Sequence, residues 1–422
     1  MDDQMGASGG TALKGSPCGR LRCLALTSAA HFINDGTVFL IPLIAAIVAL
    51  KPGITPLDVT VMLAAFYATS SVLSTYVGVI ADRTGRQGAL IGAGLALLSI
   101  GLLGFYLAVS RLSGTSLLAG IIGSALLTGF GSAFYHPLGA TLLGSVFGSE
   151  AQGRALGING AVGSVGRALY PSIYFAVSLF LVDSGSFAFF AVVGLAASAA
   201  LWAGFRSSGP SKANGPPGQG PKPRFAGVAT RSITTLTVVA FVRSFATQGV
   251  VAWIPIFISV QKGLGVTSDL GLSLTLMYGA AIIGQPLFGL LADRFDKRLI
   301  LGLSTLGVSL SIFGYVVTTG GAEGTMLFLF GFFTFSAFPL FLSLVSDYVP
   351  RGSSTSGNAV VWGLGVTGGG VIGPLVVGAL LLPDYSNLGT VFVFMAGAAV
   401  IAAIGSVILP RVARKRRTPL FG

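Results

Sequence analysis

Apolar segments long enough to cross a bilayer recur along this chain at close intervals, and this feature restricts its fold most severely. The first runs almost unbroken from Leu24 to Leu50, too long for the core of a cleaved signal peptide. Five more follow at 57–81, 88–110, 116–143, 155–182 and 184–205. A stretch at 206–232 rich in Pro, Gly, Lys and Arg then interrupts them, and six further runs occupy 233–260, 268–292, 299–319, 324–347, 357–382 and 387–409. About 20 apolar residues make one helical crossing. The expected fold is therefore an all-α membrane protein of twelve transmembrane helices, organised as two six-helix pseudo-symmetric halves. This divides the chain into an N-terminal segment (1–23), a first bundle (24–205), a linker (206–232), a second bundle (233–409) and a basic tail (410–422).

Composition excludes the alternatives. Hydrophobic residues make up 53% of the chain and charged residues 9%, against about a quarter charged in soluble domains. Soluble, secreted, fibrous and disordered classes are ruled out, and the 62 glycines suit close helix packing in lipid. The net charge of +12 raises the question of nucleic acid, but position answers it. If both termini and every even-numbered connection share one side, all of the 25 basic residues lie there except Lys51, Arg111, Lys262, Arg167 and Arg243. The positive-inside rule makes that side cytoplasmic, in the plasma or inner membrane. The expected partners are lipid, protons and a small molecule, with no nucleic acid, and the expected state is a monomer. Cys18 and Cys23 lack the spacing and the neighbouring histidine of a metal site and are expected to be reduced and inert.

The halves also resemble each other in sequence. His31 to Pro42 aligns with Ser244 to Pro255, sharing Phe32/Phe245, Gly36/Gly249 and Pro42/Pro255 at an offset of 213. In the second and eighth spans Tyr67, Gly78, Ala81, Asp82 and Arg83 match Tyr278, Gly289, Ala292, Asp293 and Arg294 at an offset of 211. Each half has an even number of spans, so the repeat is parallel, about an axis along the membrane normal.

Gly78-Val-Ile-Ala-Asp82-Arg83-Thr-Gly85-Arg86 resembles the cytoplasmic loop motif of the major facilitator superfamily, and Gly289 to Arg298 stands where that superfamily repeats it. The second copy departs from the pattern in having Asp296-Lys297 for the Gly-Arg pair. Glycine-rich segments ending in proline, Gly163 to Pro171 and Gly368 to Pro374, are similar to those of its antiporters. His31-Phe-Ile-Asn34-Asp35 and Phe134-Tyr135-His136-Pro137 resemble signatures of the fosmidomycin-resistance efflux proteins, while Arg167 departs from them, since a small uncharged residue stands there. The resemblance implies alternating access, with Gly78, Asp82, Arg83, Gly289, Asp293 and Arg294 in the conformational switch. Asp82 and Asp293 would face helix N-termini of the opposite half.

Ionisable groups within a span are expensive unless they face a cavity or a partner. Here they are His31, Asp35, His136, Arg167 and Arg243, with Asp347 near the inner end of the tenth span. His31, Asn34 and Asp35 share one helix face by their spacing. Arg167 and Arg243 lie about 18 Å and about 15 Å into their spans, near the midplane of a 30 Å core. All are expected to converge on one cavity. Asp35, His31 and His136 can exchange protons, and arginine can grip an anion. Asn34, Arg167, Arg243, Gln248 and Tyr170 are the candidate substrate contacts. A purely structural reading remains open: a permanent Asp35–arginine pair, with the histidines bonded to backbone carbonyls.

Gly363-Leu-Gly365-Val-Thr-Gly368 matches a dinucleotide fingerprint, yet it sits inside an apolar span without a preceding strand, so it reads as helix packing. No phosphate-binding Gly-Lys-Ser/Thr sequence is present, no cofactor is expected, and an ion gradient is the expected energy source. Trp253 and Trp362 read as packing residues. The residues thus point to proton-coupled export of a small amphipathic or anionic compound. An organic-anion carrier clamped by Arg167 and Arg243 is the alternative. An intramembrane enzyme or a receptor lacks a supporting constellation or a signalling domain.

Overall fold

A computed structural model describes residues 19–84, 86–181, 184–206, 230–349 and 354–411. For Gly78, Asp82, Arg83 and Asp293 it describes the backbone only, so the switch role expected of their side chains lies outside the described residues. Helices α1 (Arg20–Val38) and α2 (Ile41–Ala49) form the first span, broken at Phe39-Leu40 with Pro42 in the first turn of α2. Then come α3 (Pro56–Thr84), α4 (Gln87–Arg111), α5 (Gly114–Ser132), α6 (Tyr135–Ser178) and α7 (Gly185–Arg206). The second half holds α8 (Arg231–Ile256), which passes into a π-helical turn at Phe257–Gln261, then α9 (Ser268–Arg294), α10 (Lys297–Val317), α11 (Gly321–Phe335) and α12 (Phe338–Tyr348). It closes with α13 (Ser354–Val360), a π-helical stretch at Val361–Thr367, α14 (Gly368–Leu380) and α15 (Leu388–Ile408).

Ten spans among the described residues are long and apolar enough to cross a membrane. The two that fall short have visible causes. The tenth is broken between α11 and α12 at Ser336-Ala337. The fifth is the second part of α6, whose apolar character Asn159 and Arg167 dilute. Although α6 is helical over 44 residues, the Tyr135 hydroxyl lies 3.0 Å from Asn159 Oδ1. A straight helix would part those residues by about 36 Å. The chain therefore turns back between them, and α6 supplies both the end of the fourth span and the whole of the fifth. Twelve crossings result among the described residues.

The fourth and tenth spans break alike. Ser132-Ala133-Phe134 leads into Pro137-Leu138, and Ser336-Ala337-Phe338 into Pro339-Leu340, each proline in a first helical turn where its missing N–H costs nothing. Tyr135 and His136 are inserted in the first half and have no counterpart in the second. The first and fifth spans cross as the seventh and eleventh do: a Cβ on Gly166 would lie 2.2 Å from the Phe32 carbonyl oxygen, and one on Gly373 2.2 Å from that of Phe245. Only glycine permits either approach.

Apolar packing differs between the two faces of the molecule. On the side away from the termini one continuous cluster joins both halves, from Leu40, Phe66 and Phe175 to Trp253, Leu274 and Phe392. On the termini side each half keeps a separate cluster, one around Cys23, Leu95 and Leu142, the other around Leu236, Leu301 and Leu344. The fifth and eighth spans follow the same rule: Gly271 is pressed against Phe175 on the far side, while open space lies beside Gly157, Gly160 and Gly289 on the termini side. The halves are closed at the far side and parted towards the termini. Cys23 is disulfide-bonded, which corrects the expectation of a reduced thiol; Cys18 lies outside the described residues.

Candidate functional site at the centre of the first half

Asp35 is 2% exposed and is the hub of the site. Arg167 Nη2 donates to its Oδ2 at 3.0 Å. His31 Nε2 and His136 Nε2 each lie 3.4 Å from Oδ1, and Asn34 Nδ2 donates to the same oxygen at 3.2 Å. One turn of α1 brings His31 and Asp35 together, as their spacing requires. The helix break at Ala133-Phe134 starts α6 at a position that aims His136 at Asp35, and the glycine-mediated crossing of the first and fifth spans brings in Arg167. His136 is 61% exposed at its side chain, so the cluster meets the opening through it.

Asn159, and Tyr135 of the fourth-span signature, to which the sequence assigns no role of their own, complete the cluster. Asn159 accepts from His31 Nδ1 at 2.9 Å through its backbone oxygen, and the Tyr135 hydroxyl reaches Asn159 Oδ1 and the Thr27 carbonyl. The available signal was an amide inside an otherwise apolar span, which counting ionisable groups alone does not catch. On the far side Arg167 stacks over Phe39 at 4.4 Å and over Phe335 of the opposite half at 5.0 Å. Phe39 also packs edge-on against Tyr278 of the second half, with ring centroids 4.9 Å apart. The guanidinium thus touches Asp35 at one end and the aromatic closure between the halves at the other. Arg167 Nε and Asn34 Oδ1 have no hydrogen-bond partner among the described residues.

The expected convergence of every intramembrane charge does not occur. Arg243 lies in the core of the second half, donating to Thr305 Oγ1 and to the carbonyls of Phe333 and Thr334. Those carbonyls stand at the end of α11, where the break before α12 leaves them without helical donors. Arg243 therefore caps a broken helix instead of lining the site. Asp347 pairs with Lys297 at the termini side of the second half. Tyr170 stacks on Phe190 and fills the space beside Gly36, inside the first half. Gln248 is half-buried against Gly370 of the eleventh span, and no hydrogen bond joins it to Asp35 or Arg167. Arg294 and Gly289 lie at the termini end of α9. Trp253 donates to the Pro374 carbonyl at 2.9 Å and is buried, a packing role as expected.

Ionisable side chains gathered at the waist of a two-bundle membrane protein point to a class, transporters, and the comparisons agree. Residues 24–365 and 268–421 match the Major Facilitator Superfamily, and the chain belongs to it. It is a multi-pass membrane protein and a transporter, not an enzyme. It is 26% identical over 385 residues to an uncharacterized MFS-type transporter, YfnC, of Bacillus subtilis, a match covering 85% of this chain and 88% of that one. Shorter matches join it to a putative metabolite transport protein of Haemophilus influenzae (28% identical, 35% of this chain and 36% of that one) and to the multidrug resistance protein MdtG of Serratia proteamaculans (29%, 37% and 38%). The chain thus spans little more than a third of the length of those two relatives. In structure it is similar to a bacterial homolog of the human lysosomal transporter Spinster in an inward-facing, occupied conformation, with a TM-score of 0.71, 15% identity and coverage of 92% and 96%.

Proposed function

We propose that this chain is a proton-coupled exporter of a small amphipathic or anionic compound, working by alternating access about the Asp35–Arg167 site. The observation that carries the reading is the sharing of one buried carboxylate by an arginine and two histidines, one of them exposed to the opening. With the cluster deprotonated, Asp35 holds Arg167 against Phe39 and Phe335, and the far side stays shut. A proton arriving on Asp35 or on a histidine weakens that hold, freeing Arg167 from the aromatic closure and shifting the population between openings. Charge distribution supports cytoplasmic termini in the cell's inner membrane, so the opening described here would face inward. The name of the Serratia relative, a multidrug resistance protein, is consistent with a drug-like cargo. Asp82, Arg83, Asp293 and Arg294 would switch access in the proposed cycle, and a monomer suffices for it.

A second reading, an organic-anion carrier, draws on the unpartnered Arg167 Nε and Asn34 Oδ1, which could take up an acidic group. Arg243 is no part of that clamp. Asp35→Asn in proteoliposomes tests the first reading: uptake driven by an imposed proton gradient should disappear while counterflow exchange persists. Unchanged gradient-driven transport would overturn it. Competition by simple carboxylates, lost in Arg167→Ala, would favour the second.

A further inference from the structure

The hydrogen-bonding of His31 fixes where its proton sits. Nδ1 lies 2.9 Å from the backbone carbonyl of Asn159, an atom that can only accept, so Nδ1 carries the hydrogen. In the neutral ring Nε2 then presents a bare lone pair to Asp35 Oδ1, 3.4 Å away, and His136 Nε2 approaches the same oxygen at the same distance. A lone pair of His31 facing a carboxylate calls for a cation between them. A proton is one solution.

The spacing also fits another. With metal–ligand bonds of about 2.0–2.1 Å, neighbouring ligand atoms of a tetrahedral ion stand about 3.3 Å apart. The two observed separations are 3.4 Å, and all three ligand atoms lie within 4.8 Å of one another. His136, 61% exposed, is free to swing the remaining distance. The surrounding contacts are of the kind that orient metal ligands: Asn159 holds His31 in one tautomer, and Arg167 and Asn34 hold the Asp35 carboxylate. Two imidazoles and one carboxylate suit zinc, copper or nickel better than calcium or magnesium.

We propose that His31, Asp35 and His136 form a three-ligand site for a divalent transition-metal ion of zinc-like chemistry, with the fourth position facing the opening. Binding does not depend on proton coupling. A second consequence does rest on that reading: the ion takes the coupling proton's place and arrests transport.

The test uses untagged, full-length protein in lipid nanodiscs, titrated with Co2+ alone. One Co2+ per chain should bind with the intense visible absorption of a four-coordinate ion and be displaced by Zn2+. His136→Gln, at an exposed position, should weaken binding by at least about 100-fold. Absence of that absorption, or an undiminished Co2+ affinity in both His136→Gln and His31→Gln, overturns the site. Co2+ binding together with Zn2+-insensitive transport keeps the site and overturns the arrest. Failure of the Asp35→Asn transport test with Co2+ binding intact in the wild type removes the proton reading and leaves the site standing.

Discussion

Arg167 and Asp35 form an ion pair 132 residues apart in sequence, at 3.0 Å, in which the carboxylate is 3% exposed and the guanidinium side chain 14%. The pair joins the fifth span to the first inside one half, while the arginine's other face rests on Phe335 of the other half. Breaking one member of a buried pair strands the other charge, at a cost of about 3–5 kcal/mol, whereas removing both together is often near neutral.

Arg167→Gln is therefore expected to lower the thermal stability of the purified protein by several degrees, and Asp35→Asn combined with Arg167→Gln to regain most of that loss. Transport driven by a proton gradient should be absent from both. A double variant no more stable than Arg167→Gln alone would mean that the pair is not the stabilising element.

Arg243 gives the opposite expectation. Its partners are two carbonyls and a hydroxyl of the ninth and tenth spans; Ser304 still donates to the Phe333 carbonyl, so removal of the arginine strands the buried Thr334 carbonyl, worth about 1–3 kcal/mol. Arg243→Met should destabilise the second half, measured by thermal unfolding, while substrate affinity in the folded fraction stays within about twofold, the range of an interaction worth under 0.5 kcal/mol. A large loss of affinity at unchanged stability would return Arg243 to the binding site.

The contrast between the two arginines marks what the sequence could convey. Hydropathy and loop charge make twelve spans legible because bilayer thickness fixes their length. The pairing of Phe32 with Phe245 is legible because equivalent crossings need equivalent close approaches, here against Gly166 and Gly373. The spacing of His31 and Asp35 is local geometry and survives intact. Depth in a span, by contrast, does not reveal which way a side chain points. Arg167 and Arg243 sit at similar depths, yet one faces the waist and the other the gap left by the break between α11 and α12, which no periodicity announces. The closing role of Phe39, Tyr278 and Phe335 was not legible for a related reason: among 30 phenylalanines and 10 tyrosines, only assembly of the halves shows which ones close them.

Far-side closure relies on backbone proximity at two glycines. A Cβ at Gly378 of the eleventh span would meet Thr60 of the second, and one at Gly271 of the eighth would lie 2.4 Å from the Phe175 ring of the fifth. Overpacking typically costs about 1–3 kcal/mol, which corresponds to a population shift of about 5–150-fold. Gly271→Leu and Gly378→Val should each wedge the far side apart. Spin labels placed on the 50–55 and 262–267 loops should then report longer distances than in the wild type; unchanged distances would show that the closure does not depend on these contacts.

A last expectation concerns the termini side of the second half, where Asp296 caps α10 and binds the Arg298 guanidinium, which in turn donates to the carbonyls of Val407 and Leu409 at the end of α15. Hydrogen bonds from Arg298 hold the Asp296 carboxyl below the usual aspartate range. A carboxyl whose folded value is depressed contributes stability above its unfolded pKa of about 3.9, and that contribution fades as the pH falls through the lower folded value. Asp296 is exposed, so the effect is local and modest. Protection of the amides in the last turn of α15, taken relative to their intrinsic exchange rates, should fall on acidification below about pH 4. Asp296→Asn should already exchange fast at neutral pH and lose that acid dependence, because the charge that orders Arg298 is gone at every pH. Acid-dependent exchange persisting in the Asn variant would assign the titration to another group.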